Sequence, residues 1–232
     1  MKTKSQIFSD DDTTNKIMKH TIRLALSGTA VLLAASGAQA ADKIYLEVAA
    51  GPAFQQDTSV KTGPFGTGGN VRFDTGTRAG LTLGYQLTQD FAAELETGVI
   101  WNSVNSIQGN SLSAFGARAD VYEIPFLLNL VYKPWHGSFV PYVGLGAGGA
   151  ATLFDSANIP PFGPNASYSD TDFTFAYQAT VGCNYVLCKH MELGLAYKFM
   201  GTTDHKWSDQ NITFKTDGNL THAVMATVTW RF

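Results

Sequence analysis

Large or apolar side chains occupy every second position of the last ten residues, Ala223 to Phe232, and from Ala226 onward apolar and polar alternate strictly. Val224, Ala226, Val228, Trp230 and Phe232 share one parity, and Thr227, Thr229 and Arg231 share the other. Strand side chains alternate between two faces, so this pattern predicts a strand with one face for lipid and one for water. Seven further segments read the same way. Lys43 to Phe54 puts Ile44, Leu46 and Val48 outward and Tyr45 and Glu47 inward. Arg72 to Leu87 sets Leu81, Leu83 and Tyr85 against Arg78, Gly80, Thr82 and Gly84. Phe91 to Ser103 sets Phe91, Leu95, Val99 and Trp101 against Glu94, Glu96 and Asn102. In Ala117 to Lys133 the inward parity holds Glu123, Pro125 and Asn129. In Phe139 to Phe154 it holds Tyr142, Gly144, Gly146 and Gly148. Asp172 to Leu187 turns Gln178, Thr180 and Asn184 inward, Met191 to Gly201 turns Glu192 and Lys198 inward, and Leu220 to Phe232 closes the series.

Short and long connections alternate between these segments. Thr88 to Asp90, Pro134 to Ser138 and Cys188 to His190 are short, whereas Gln55 to Val71, Val104 to Gly116, Asp155 to Thr171 and Thr202 to Asn219 are long and polar. An even number of strands with both ends on one side, joined by alternating turns and loops, predicts an all-β fold: an eight-stranded antiparallel up-and-down transmembrane β-barrel. Short turns face the periplasm in such barrels and long loops face outside. Outward aromatics on the turn side, among them Tyr85, Phe91, Tyr132, Phe139, Tyr185 and Trp230, would form an interfacial girdle. Pro125 removes a ladder hydrogen bond, so a local bulge is expected there. The glycine run Gly144 to Gly149 leaves room inside a narrow barrel; no βαβ unit surrounds it to make it a nucleotide loop.

The beginning of the chain changes the picture. Lys19, His20 and Arg23 precede an apolar stretch, Leu24 to Ala35, and a small-residue site, Ala38-Gln39-Ala40. Residues 18–40 therefore read as an export signal, too short in its apolar part to span a bilayer as a helix, with the exported barrel expected over 41–232. Residues 1–17 read either as a start codon assigned upstream of Met18 or as a disordered extension. No linker or second domain is expected after the barrel. The segment after Ala40 carries 11 Lys and Arg against 16 Asp and Glu, a formal charge of −5, which argues against nucleic acid as a partner. Cys183 and Cys188 lie close together near one predicted turn, in a compartment that permits disulfides, and a short-range bond and two free thiols are both open.

Candidate chemistry concentrates on the inward parity. Glu47, Glu94, Glu96, Glu123 and Glu192 face Arg78, Lys198 and Arg231. Opposite charges in a lumen this narrow are expected to pair and fill it, or to line a cation-preferring path. Trp230 and Phe232 are expected to serve as the assembly signal, since the last strand must close the sheet in lipid. In the last loop His205, Ser208, Asp204 and Asp209 offer a bare His-x-x-Ser and a weak metal set, and the expectation is a solvated loop.

The segments Tyr122-Glu123-Ile124-Pro125-Phe126, Val140 to Gly148, Glu192 to Phe199 and Trp230-Arg231-Phe232 resemble the small outer-membrane β-barrel family. That family includes opacity-type proteins, porin-like surface antigens and the barrel part of outer-membrane protein A. The resemblance implies a monomer in the bacterial outer membrane that displays four extracellular loops as a surface antigen, adhesin or envelope-stabilising protein. The residues themselves give no expectation of a catalytic, metal or cofactor site. Its implied partners are outer-membrane lipid and lipopolysaccharide, the barrel assembly machinery and host surface ligands. A narrow cation-preferring pore is the alternative, and a lipid A-modifying enzyme the third reading.

Overall fold

The computed structural model describes residues 43–62, 68–107, 109–111, 118–157, 167–209 and 212–232. The export signal and the residues before it lie outside these.

Thirteen strands occur among the described residues: β1 Ile44–Gln55, β2 Thr58–Thr62, β3 Asn70–Phe73, β4 Gly76–Gln86, β5 Phe91–Ile107, β6 Asn110–Ser111, β7 Arg118–Tyr132, β8 Phe139–Ala157, β9 Ser167–Cys188, β10 Met191–Thr202, β11 His205–Asp209, β12 Ile212–Thr216 and β13 Leu220–Arg231. Eight of them, β1, β4, β5, β7, β8, β9, β10 and β13, pair antiparallel with their chain-order neighbours, and β13 returns to β1. The sheet closes, which leaves no unsatisfied edge within the membrane band. The closing pair runs from Tyr45↔Arg231 to Gln55↔Thr221, and the backbone N–H of Phe232 donates to Ile44 O at 3.1 Å.

The predicted alternation is the observed one. Along β13 every odd residue from Thr221 to Thr229 is buried, while Val224, Val228 and Trp230 are exposed. The exterior is a continuous apolar surface that includes Leu128, Leu145, Phe173 and Leu195, as lipid requires of a barrel wall. Two aromatic belts bound it on β5 and β7: Phe91 packs on Tyr132 at the turn end (ring centroids 4.9 Å apart), and Trp101 stacks on Tyr122 at the other (6.1 Å). On each strand the two belts are ten residues apart, about 33 Å along the chain and roughly 25 Å along the barrel axis at a tilt of about 40°.

Three expectations need correction, and the cysteine alternatives are decided. The strand expected over Arg72 to Leu87 is interrupted at Asp74 and Thr75, so β3 leaves the barrel while β4 stays in it. Pro125 causes no bulge: the β7–β8 register passes unbroken through Pro125↔Ala150. On its other side the ladder to β5 omits Ile124 and Pro125 opposite Gly98 and Val99 without changing register, because proline lacks the N–H that side would use. The two cysteines are free and lie on one continuous strand, β9. Five residues of extended chain separate them by about 16 Å, beyond disulfide reach. Lastly, the described parts of the long connections are folded. β11, β12, β2 and β3 continue the sheet beyond the barrel rim through the upper part of β5, and β8 and β9 extend past the barrel to Ala157 and Ser167. Val60, Val71, Val104, Ile107, Ala119 and Val121, with Phe73 against them, form the apolar core of this continuation.

Candidate functional site

Eight strands turning every second residue inward bring the charged positions named from the sequence into one lumen, where they separate into layers.

The middle layer centres on Glu96 of β5, which is 2% exposed. Its Oε1 accepts from Arg78 Nη2 of β4 at 2.9 Å and from Lys198 Nζ of β10 at 2.7 Å. Its Oε2 accepts from Gln178 Nε2 of β9 at 2.8 Å and from Asn129 Nδ2 of β7 at 3.0 Å. One carboxylate thus ties four other strands across the bore, and Arg78 Nη2 also donates to Gln178 Oε1 at 2.5 Å. Small residues opposite make the reach possible: a Cβ on Gly146 would sit 1.8 Å from Asn129 Oδ1. Both cations are almost fully buried, and two buried cations sharing one carboxylate with two neutral donors satisfies that carboxylate completely.

The layer at the turn end contains Glu47, Glu94, Glu192 and Arg231. Arg231 Nε donates to Glu192 Oε1 at 2.5 Å, and Asn184 Nδ2 donates to Glu192 Oε2 at 2.9 Å. Thr229 Oγ1 donates to Glu47 Oε2 at 3.0 Å. The Tyr45 hydroxyl donates to Glu94 Oε1 at 2.5 Å, and Lys133 Nζ lies 4.3 Å from the Tyr45 ring centroid, with the Arg231 guanidinium 5.5 Å from it. Gly84 leaves the space that the Tyr45 ring fills. Lys133, the last residue of its predicted strand and next to Pro134, was not named among the inward charges, yet it continues the odd, inward parity of β7 and is buried.

Glu123 stands apart. It is 1% exposed on β7, one layer beyond Glu96 toward the long connections. Neither of its oxygens has a hydrogen-bond partner among the described residues. Trp230 and Phe232 face outward at the turn end and contribute nothing to the lumen; Trp230 stacks on His190 at 6.5 Å.

The last loop departs from expectation. His205 is not solvated but 1% exposed, seated where β11 meets the barrel rim. Its Nε2 lies 2.9 Å from the Thr202 hydroxyl, its Nδ1 3.5 Å from Asp172 Oδ2, and Thr202 Oγ1 accepts from the Asn219 backbone N–H at 2.9 Å. Asp204 instead pairs with Lys61 at the surface, beside Asp217. The side chains of Ser208 and Asp209 lie outside the described residues. Burial pushes the His205 imidazole below its ordinary value, against the opposing pull of Asp172. A buried neutral histidine loses its contribution as pH falls below the free value of about 6.5 and protonation is forced on it, so acid should loosen this seat. His205→Ala is expected to cost the hairpin about 1–3 kcal/mol by leaving buried partners unsatisfied. Faster trypsin cleavage at Lys206 and Lys215, with the barrel's gel migration unchanged, is the expected readout.

A model of the outer membrane protein beta-barrel domain matches residues 27–232. Outer membrane protein W of Vibrio cholerae serotype O1 is 30% identical over 125 residues, which are 52% of this chain; the match spans only 57% of that relative's own length. Among solved structures, outer membrane protein OprG of Pseudomonas aeruginosa superposes with a TM-score of 0.52 at 18% identity, covering 84% of this chain and 99% of that one. Outer membrane protein AlkL superposes at 0.54 and 17% identity, covering 85% and 94%. The outer membrane protease OmpT of Escherichia coli does so at 0.51 and 9% identity, covering 83% and 97%. At these identities the structures share the fold alone, and the fold carries proteins of different activity.

Proposed function

The chain belongs to the outer membrane protein beta-barrel family and resides in the bacterial outer membrane; from that premise we propose that it is a sealed barrel whose working surface is its folded extracellular crown. In this role it serves as a surface antigen, adhesin or envelope-stabilising protein. The observation that carries the reading is the Glu96 carboxylate, held by donors from four other strands across the bore. A permeating ion would have to break several buried, charge-assisted hydrogen bonds at once.

With short turns in the periplasm, the sheet of β11, β12, β2, β3 and β5 faces outside. That crown, with its own apolar core, is a better scaffold for fixed recognition than four floppy loops. Its candidate partners are host surface ligands, while lipopolysaccharide meets the aromatic belt and the assembly machinery reads Trp230 and Phe232. The excess of acid in the lumen supports a narrow cation-preferring pore as the second reading, and the Glu96 knot opposes it. We read the protein as non-enzymatic: His205, the histidine of the last connection, is turned onto Thr202 and Asp172.

Replacing residues 204–217 by a short turn tests the reading. Intact cells carrying that variant should lose binding of antibodies raised against the folded protein, and adherence to host cells, while the barrel still shows heat-modifiable migration. Undiminished recognition and adherence would place the working surface elsewhere.

A further inference from the structure

We propose that the extracellular half of the lumen contains a binding site for a primary alkylammonium ion, with its head on the Glu123 carboxylate and its tail among the valines of the crown.

Buried carboxylates are nearly always hydrogen-bonded, yet both oxygens of Glu123 are buried without a donor among the described residues. Two further unpartnered acceptors surround it. Thr152 is its direct cross-strand partner on β8, completely buried, with Oγ1 unpartnered. Asn102 stands diagonally across on β5, since Ile100 pairs with Glu123 and Asn102 with Val121, and its Oδ1 is also buried and unpartnered. Such neighbours bring their Cβ atoms within about 5 to 8 Å, so one small head group reaches all three. An –NH₃⁺ group has three donors and no acceptor, matching a carboxylate, a carboxamide oxygen and a hydroxyl.

The cation in the same register row as Glu123 is Arg78, since Ile100 pairs with both; its Nη1 is itself unpartnered and its Nη2 is committed to Glu96 and Gln178. Charge balance leaves room for one cation more. Within the barrel, Glu47, Glu94, Glu96, Glu123 and Glu192 stand against Arg78, Lys133, Lys198 and Arg231.

The class of cation follows from what lies next along the same inward faces. Beyond Asn102 on β5 comes Val104, and before Glu123 on β7 come Val121 and Ala119; these join Val60 and Val71 in one buried apolar cluster. A hard metal ion needs six or more oxygen ligands, waters included, and this site offers three oxygen-bearing groups beside an apolar cluster. An ammonium head with a short alkyl tail suits both ends, the tail gaining roughly 0.8 kcal/mol per buried methylene.

The test is a titration of the refolded, full-length barrel with n-butylammonium chloride at constant ionic strength, read by calorimetry and by the unfolding midpoint. Saturable binding that raises the midpoint is expected. Glu123→Gln should weaken it at least tenfold, and tetramethylammonium, which lacks N–H donors, n-butanol and sodium should bind at least tenfold more weakly. If Glu123→Gln fails to fold, Thr152→Val should still weaken butylammonium several-fold while keeping the barrel. No saturable binding to the wild type would overturn the proposal. So would equal binding by Glu123→Gln or Thr152→Val, or equal responses to tetramethylammonium or sodium.

Discussion

Glu96→Ala is expected to destabilise the barrel by about 3–5 kcal/mol, the range for removing one partner of a buried ion pair, and to turn a silent lumen into a conducting one. The alanine leaves Lys198 without its carboxylate and strips Asn129 and Gln178 of an acceptor, all inside the bore. Arg78 retains Gln178 Oε1 and shares a register row with Glu123 through Ile100, so Lys198 carries most of the penalty. Removing Lys198 as well should therefore recover part of the stability. Glu96→Leu combined with Lys198→Met leaves no orphaned lysine and keeps Arg78 on Gln178 Oε1; it is expected to restore part of the urea midpoint, because replacing a buried pair by apolar groups is close to neutral. If Glu96→Ala unfolds at the wild-type midpoint, the layer is hydrated enough that its hydrogen bonds contribute little.

Leu145→Arg should cost about 2–4 kcal/mol, as for an arginine near the bilayer midplane, whereas Phe139→Arg at the turn-side belt should cost about 0–1. Leu145 is 71% exposed on β8 and lies between Leu130 and Ala179 in the ladders, well inside both aromatic belts. Phe139 opens the same strand opposite Tyr185. Both point outward by parity, so their difference isolates depth. Equal costs, measured by urea titration in lipid vesicles, would mean that the apolar surface does not face a membrane as described.

Period-two alternation made the barrel legible because the two solvents of a membrane barrel differ so sharply that every inward residue from Tyr45 to Arg231 follows parity. The same rule placed Glu96, Arg78 and Lys198 on one interior. It could not say which charges meet, since that depends on strand tilt and on small cross-strand partners such as Gly146 beside Asn129. Hence Arg78 and Lys198 both converge on Glu96, while Glu123, an equally plausible partner by sequence, holds neither at hydrogen-bond distance. The crown was illegible for a different reason. Its strands are only 2 to 5 residues long and pair across distant parts of the chain, as Lys215 does with Thr62, so no local pattern announces them. His205 shows the consequence: a polar residue in a polar stretch, buried only because β11 folds back over the rim.

Single-channel recording on purified, refolded wild-type protein in planar bilayers tests the sealed lumen most directly. A lumen closed at Glu96 predicts no discrete cation-selective steps from the wild type and their appearance in Glu96→Ala. Steady ohmic steps from the wild type, unchanged by that substitution, would contradict it.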